Sequence, residues 1–266
     1  MRAALYYHTL AAMAKRTRLD MLLVERGVFE TRSKASAAVM AGLVLVDGKP
    51  AMKAGLAVAK DAEVSLKSAP CPYVSRGGLK LRAALDAFPI NVLDRVCLDV
   101  GASTGGFTDC LLQAGAAKVY AVDVGTAQLA SRLKVDPRVA SRENTHAKLL
   151  RPEWFDPRPT LAVADVSFIS LTQVLPFILP CLTDPADLVV LVKPQFEVGP
   201  KLAPKGVVRD PLVRLQAIDK IRAAVMTLGL VEHGLTQSPA KGPKGNVEFL
   251  LWLRRPSGAG FGKIKE

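Results

Sequence analysis

No two of the four cysteines form a C-x-x-C pair, and the three histidines, His8, His146 and His233, lie far apart. The first absence argues against the short-spaced thiols of zinc and redox sites, and the second against a histidine ligand cluster, so no metal centre is expected. Cys71, Cys97, Cys110 and Cys181 are too few to frame a chain of 266 residues with disulfides. A reducing, cytoplasmic setting is therefore expected. No apolar run reaches the roughly eighteen residues of a bilayer-spanning helix. The best attempt, from Phe168 to Leu182, is short and interrupted by Pro176 and Pro180, so stable membrane insertion is not expected. Carboxylates are also short: 24 Asp and Glu face 36 Lys and Arg, a net charge of +12. That imbalance favours an anionic partner, a nucleic acid before a membrane surface.

What is present is enough apolar residue, half of the chain, to build a real core. Residues 1–14 imitate a signal peptide only faintly, and Met13 opens a more ordinary start, M-A-K-R-T-R-L-D. They read as a disordered or over-annotated terminus. The last residues, 256–266, carry glycines and cations without periodicity and read as a flexible basic tail.

Residues 15–72 read as a small α+β domain. Leu19, Leu22, Leu23 and Val24 share a helical face that ends at Gly27. Thr31 or Ser33 suits the cap of a second helix, expected to turn Ala37, Val39 and Met40 inward and to stop at Gly42. L-V-L-V-D-G-K then reads as a strand entering an Asp-Gly turn. Cations gather here: Arg16, Arg18, Arg26, Arg32 and Lys34, with Arg32-Ser33-Lys34 opening a helix whose free N–H groups suit phosphates. The runs R-L-D-x-x-L-x-x-x-G, x-R-S-x-A and G-x-V-x-V-D-G closely resemble the RNA-binding domain of the ribosomal-protein S-four type, over about residues 16–70. The resemblance implies binding of structured RNA through these residues.

From residue 73 to 255 the pattern changes to alternating strands and helices. The run at 95–102 is apolar without alternation, as a strand buried on both faces is, and those at 118–125, 161–168 and 187–194 read as the strands that follow it. A long helix is expected from Pro211 to about Leu230, and a last strand over 246–253. This alternation predicts a doubly wound, mostly parallel α/β sheet that binds its ligand at the carboxyl ends of the strands. The first strand ends in D-V-G-A-S-T-G-G-F-T, neither a P-loop nor G-x-G-x-x-G. Asp123 closes the second strand, where an acid suits a ribose diol. Loop and acid together resemble the S-adenosylmethionine site of Rossmann-like methyltransferases, in which the last strand is antiparallel. That likeness assigns Asp99, Gly101, Ser103, Thr104, Gly105, Gly106, Phe107, Asp123, Val124 and Asp165 to the cofactor. A nicotinamide dinucleotide is the alternative such a loop leaves open.

The acceptor is narrowed by the residues after the strand that ends at Asp165. Amino methyltransferases carry N-P-P-Y or D-P-P-Y there, and this chain has Asp165-Val166-Ser167-Phe168. Pro180-Cys181 imitates the nucleophile of cytosine-carbon enzymes but lies in an apolar helix, where Cys181 reads as core. Charged residues at strand ends remain: Asp165, Lys193 in V-K-P-Q-F-E, and Glu248 within an apolar strand, which requires a cation partner. With Lys80 of V-S-R-G-G-L-K-L they spell K-D-K-E, which resembles the catalytic tetrad of FtsJ-like ribose 2′-O-methyltransferases. With the amino-terminal module, the chain resembles the TlyA family over about residues 16–255. That resemblance implies methylation of ribosomal RNA, on cytidines of the large subunit and in some members the small. It implies that Lys193 takes or steers the hydroxyl proton, that Lys80 beside it favours its uncharged form, that Asp165 orients it and that Glu248 holds Lys80 or the ribose. Arg76 is expected to meet RNA between the two domains. A non-catalytic RNA-binding or ribosome-assembly role, and a membrane-active haemolysin, are the alternatives. The sequence is silent on oligomeric state.

Overall fold

The computed structural model describes residues 16–67 and 71–258. The expectations for residues 1–14 and for 259–266 of the tail lie outside the described residues. The chain divides after residue 70 into two compact units.

The smaller unit opens with β1 (Arg16–Arg18), α1 (Leu19–Glu25) and α2 (Arg32–Met40). β2 (Val44–Val46) and β3 (Lys49–Pro50) follow, then β4 (Ala57–Ala59), which pairs with β1, and β5 (Val64–Leu66), which pairs with β2. Leu19, Leu22 and Leu23 of α1 pack on Ala35, Ala38 and Val39 of α2, with Val44, Ala51 and Val58 closing the core. The face of α2 differs from expectation. Ala37 is exposed and Met40 is 63% exposed. The reason is helical geometry: 35, 38 and 39 follow the i, i+3, i+4 stripe, whereas positions 37 and 39 lie about 200° apart around the axis. Asp47 and Gly48 both have positive φ, 48° and 74°, the conformation a two-residue hairpin turn requires between β2 and β3.

The larger unit holds α3 (Gly77–Ala87), β6 (Val96–Val100), α4 (Gly106–Gln113), β7 (Lys118–Val122) and α5 (Ser131–Lys134). It continues with β8 (Val139–Arg142), β9 (Leu161–Ala164), α6 (Leu175–Ile178), β10 (Ala186–Val192) and α7 (Pro194–Glu197). α8 (Pro211–Thr227), β11 (Val231–Gln237) and β12 (Phe249–Arg255) complete it. The seven strands lie in the order β11-β12-β10-β9-β6-β7-β8, with β12 antiparallel to both neighbours and the ladders from β10 to β8 parallel. Strand residues alternate between two cores. Leu98, Val100, Leu188 and Val190 face a layer containing Ile178 and Ile221, and Cys97, Val119, Val189 and Leu191 face one containing Leu81 and Leu111. Cys181 is fully buried in the first of these cores, not beside a ligand cavity.

Two strands of this sheet were not foreseen. β8 and β11 are the two edges of the sheet, and their residues are largely half-exposed or exposed. V-A-S-R and V-E-H-G-L-T-Q therefore lack the apolar run of a central strand. The last strand begins at Phe249, so Glu248 precedes it rather than lying inside it.

Candidate active site

β6 ends at Val100, and the chain turns through Gly101 at φ 85°. A Cβ on Gly101 would lie 2.6 Å from the Asp165 carbonyl oxygen, so only glycine lets the loop after β6 touch the end of β9. The loop reaches α4 at Gly106, and Asp123 ties it to the end of β7. Asp123 accepts from the Ser103 N–H at 2.8 Å and the Gly125 N–H at 2.6 Å. One cavity of about 310 Å³ is lined by Gly101, Ser103, Asp123, Val124, Thr145, His146, Asp165, Ser167 and Phe168 among others. A second, of about 430 Å³, is lined by Arg76, Lys80, Ser103, Thr104, Gly106, Phe107, Asp165 and the 240–243 segment. Gly101, Ser103 and Asp165 belong to both.

Asp99 is elsewhere. It alternates with Leu98 and Val100 and so points to the same face as Cys97, where it is fully buried and accepts from the Thr108 hydroxyl at 2.6 Å. Burial pushes its carboxyl up to about 7, against the Thr108 hydrogen bond. Neither cavity is lined by Asp99 or Gly105.

Two ion pairs stand at the strand ends. Lys193, just after β10, meets Asp165 at 2.6 Å and donates to the Ser167 hydroxyl at 2.8 Å. Asp165 Oδ1 lacks a well-directed hydrogen bond, so this contact is chiefly ionic. Lys80, in the first turn of α3, donates to Glu248 at 2.6 Å. Lys80 is 9% exposed and Glu248 0%. The second Glu248 oxygen, Oε1, has no partner among the described residues. It is covered by Gly242, where a Cβ would stand 1.9 Å from it. Lys80 and Asp165 line the 430 Å³ cavity, while their partners Glu248 and Lys193 are not among its lining residues. Glu197 braces the arrangement: its carboxylate accepts from the Ser170 hydroxyl and the Leu171 N–H, linking α7 to the loop after β9. Burial pushes the Glu197 carboxyl up.

Sequence reasoning passed over Ser167 and Phe168. Phe168 is 90% exposed, holds a φ of 63° and lies 5.0 Å from the Phe196 ring. The signal was present in A-D-V-S-F-I-S, where an aromatic follows a strand-end acid. Among the described residues no group of acids, cysteines or histidines could hold a metal.

In the smaller unit Asp20 is buried and gathers two arginines. It accepts from Arg18 at 3.0 and 2.9 Å and from Arg32 at 2.9 Å. The Arg18 hydrogen bonds, then that of Arg32, hold its carboxyl well below the usual range despite burial. Arg18, Arg32 and Ser33 thus line one open hollow of about 480 Å³. Thr31 caps α2 by accepting from the Lys34 N–H at 3.3 Å. Arg16 is exposed on β1, and Lys34 pairs with Glu30. Arg26 spends its guanidinium on the carbonyls of Lys60 and Ala62, bracing the unit's own backbone. Arg76, exposed, precedes α3.

The profile of the FtsJ-like methyltransferases matches residues 73–255, and that of the S4 domain matches 17–64. The 16S/23S rRNA (cytidine-2′-O)-methyltransferase TlyA of Mycobacterium tuberculosis is 48% identical over 91% of this chain and 91% of its own. The chain belongs to the TlyA family of FtsJ-like methyltransferases. Hemolysin A of Brachyspira hyodysenteriae is 43% identical over 88% of this chain and 98% of its own. A solved structure from Streptococcus thermophilus, also carrying the hemolysin name, is 43% identical, covers 91% of this chain and 90% of its own, and superposes with a TM-score of 0.72. Membership of the TlyA family accounts for the S4 unit preceding a methyltransferase sheet. Among the described residues no helix is long and apolar enough to cross a membrane.

Proposed function

We propose that this protein transfers a methyl group from S-adenosylmethionine to a ribose 2′-hydroxyl of ribosomal RNA, on cytidine of the large subunit, with the small subunit as a second candidate substrate. The observation that carries the reading is the pairing of Lys80 with Glu248 and of Lys193 with Asp165 beside one glycine loop. It stands in a chain 48% identical to a protein named for that reaction.

The residues present fit the cofactor. Two cavities share Gly101, Ser103 and Asp165 and so adjoin at the carboxyl ends of β6 and β9, where an elongated ligand would lie across both. Asp123 and Val124 would hold the ribose and adenine side, and Ser103, Thr104, Gly106 and Phe107 the amino-acid side. S-adenosylmethionine supplies a methyl group already activated on a sulfonium. The task left to the protein is to place an oxygen in line and to manage one proton, and placement carries much of the rate.

Lys193 is the group we assign to steer the 2′-hydroxyl proton. Asp165 and Ser167 fix its ammonium, and both face the cavities. Lys80 faces the second cavity, positioned by the wholly buried Glu248. Each lysine holds its own carboxylate, so charge is balanced within each pair. The exposed ring of Phe168 offers a flat surface for the base of the target nucleotide. Arg18, Arg32 and Ser33 would bind RNA phosphates, and Asp20 pre-orients the two guanidiniums. With such a substrate, the reading expects the protein in the cytoplasm.

The test is transfer of labelled methyl to purified, unmethylated ribosomal subunits. Label should enter RNA and render the adjacent phosphodiester resistant to alkali, because the attacking 2′-hydroxyl is gone. Label on a base, with every linkage still alkali-labile, would refute the ribose assignment. The hemolysin names favour a second reading, and leakage of liposomes by the purified protein, with no label on RNA, would establish it.

A further inference from the structure

The larger unit contains the same tripeptide twice, Pro204-Lys205-Gly206 and Pro243-Lys244-Gly245, and folds it the same way both times. Each is a single 3-10 turn with its lysine in the left-handed region, Lys205 at φ 56°, ψ 21° and Lys244 at φ 56°, ψ 18°. Left-handed backbone disfavours a lysine, and glycine or asparagine is the usual occupant. Keeping lysine at both positions points to a use for the side chains.

The two turns are clasped together. Asn246 is buried, its amide donates to the carbonyls of Gly206 at 2.9 Å and Pro243 at 3.0 Å, and its oxygen accepts from the Val208 N–H at 3.1 Å. Lys244 adds a bond to the Lys205 carbonyl at 2.9 Å. Segments 203–209 and 238–247 carry Lys205, Arg209, Lys241 and Lys244, all exposed, and contain no carboxylate. None of these four cations has an acid partner among the described residues. The second segment continues into the site: Ala240, Lys241, Gly242 and Pro243 line the 430 Å³ cavity with Lys80 and Asp165.

We infer that the clasped lysine turns are a second RNA-backbone site, in the catalytic unit, that grips phosphates beside the target ribose. The inference rests on the reading that the substrate is RNA. A ribose within a chain carries a phosphate on both its 3′ and 5′ sides. Delivering its 2′-hydroxyl into the cavity that Lys80 and Asp165 line therefore brings backbone charge to the mouth of that cavity. Cations with no acid partner among the described residues meet that charge with little ordering cost, because the turns are already fixed by Asn246 and one Lys244 donor alone is taken, by the Lys205 carbonyl.

The experiment compares the full-length wild type with Lys205→Asn/Lys244→Asn. Asparagine accepts left-handed backbone and the Asn246 bonds remain, so the variant keeps both turns while removing two charges and the Lys244 bond to the Lys205 carbonyl. Binding of transcribed large-subunit ribosomal RNA is measured by filter retention across roughly 50 to 200 mM salt. Each lost phosphate contact should reduce the slope of log K against log salt by about 0.7 to 0.9, and two by about 1.4 to 1.8. Affinity near 0.15 M salt should fall about ten- to thirtyfold, with cofactor affinity unchanged. Arg209→Gln, outside the strained turns, should lower the slope by about half as much. If wild type binds RNA and both variants keep its slope, the turns are a solvated face and the inference fails while the RNA reading stands. If wild type binds no RNA at any salt, both fail.

Discussion

The Lys80–Glu248 pair gives the sharpest energetic prediction. Glu248 is 0% exposed, its Oε1 has no partner among the described residues, and Gly242 closes over it. Lys80, 2.6 Å away, is the only cation paired with it among the described residues. Lys80→Met therefore strands a carboxylate in a buried site, which costs about 3 to 5 kcal/mol for a buried pair that loses one partner. Glu248→Gln leaves the ammonium a neutral acceptor and some solvent, and should cost less, about 1 to 3 kcal/mol. Lys80→Met/Glu248→Leu leaves no charge behind and should recover most of the loss, so the two effects should be non-additive by at least about 2 kcal/mol. Both tryptophans of the chain, Trp154 and Trp252, belong to the larger unit, so urea unfolding followed by tryptophan emission reports on that unit alone. All three variants should lose methyl transfer, whatever their stability. Single variants that each lose under about 1 kcal/mol, or a double variant that loses the sum, would refute the buried-pair argument.

Other perturbations test separate parts of the account. The folded chain keeps a proton on Asp99 up to about pH 7, whereas at its ordinary value of 3.8 the unfolded chain has released it. Stability should therefore fall as pH rises from about 4 to 7, and Asp99→Asn should flatten that fall, gaining on the order of 4 kcal/mol at most above pH 7. Urea midpoints at a series of pH values would show it, and parallel curves for the two proteins would contradict it. Gly242→Ala should push the Glu248 carboxylate away from Lys80 and cut kcat at least tenfold with little change in cofactor affinity; unchanged kcat would mean the 240–243 segment yields freely. Arg18→Gln/Arg32→Gln should weaken RNA binding and lower its salt slope by about 1.4 to 1.8. It should also leave Asp20 buried without its partners and so unfold the smaller unit more easily, which Asp20→Asn in the same background should partly rescue.

The parallel strands were legible because strands covered on both faces must be apolar throughout. β6, β7, β9 and β10 nearly are, broken only by Asp99, Lys118 and Asp187, and in such a sheet the carboxyl ends gather the chemistry. That rule alone brings the 101–106 loop, Asp123, Asp165 and Lys193 to one side. The edges escaped for the opposite reason: β8 and β11 meet solvent, and a short mixed run such as V-A-S-R carries no strand signal. Direction was the harder quantity. A continuous apolar run hides which face each residue takes, so Asp99 read as a ligand residue while the pleat turns it toward Thr108 inside the core. Arg26 shows the same limit on the surface, since charge clustering in sequence does not reveal that its guanidinium is already spent on Lys60 and Ala62. The clasp at Asn246 joins segments 40 residues apart, a pairing no local pattern announces.

The central claim is that the paired lysines and carboxylates perform methyl transfer to a ribose hydroxyl of RNA. It is tested most directly by comparing wild type with Lys193→Ala for transfer of labelled methyl from S-adenosylmethionine to unmethylated ribosomal subunits, with cofactor affinity measured on the same preparations. The account predicts label on RNA from wild type only, with cofactor affinity nearly equal in the two proteins. Equal label from both, or loss of cofactor binding together with activity, would contradict it.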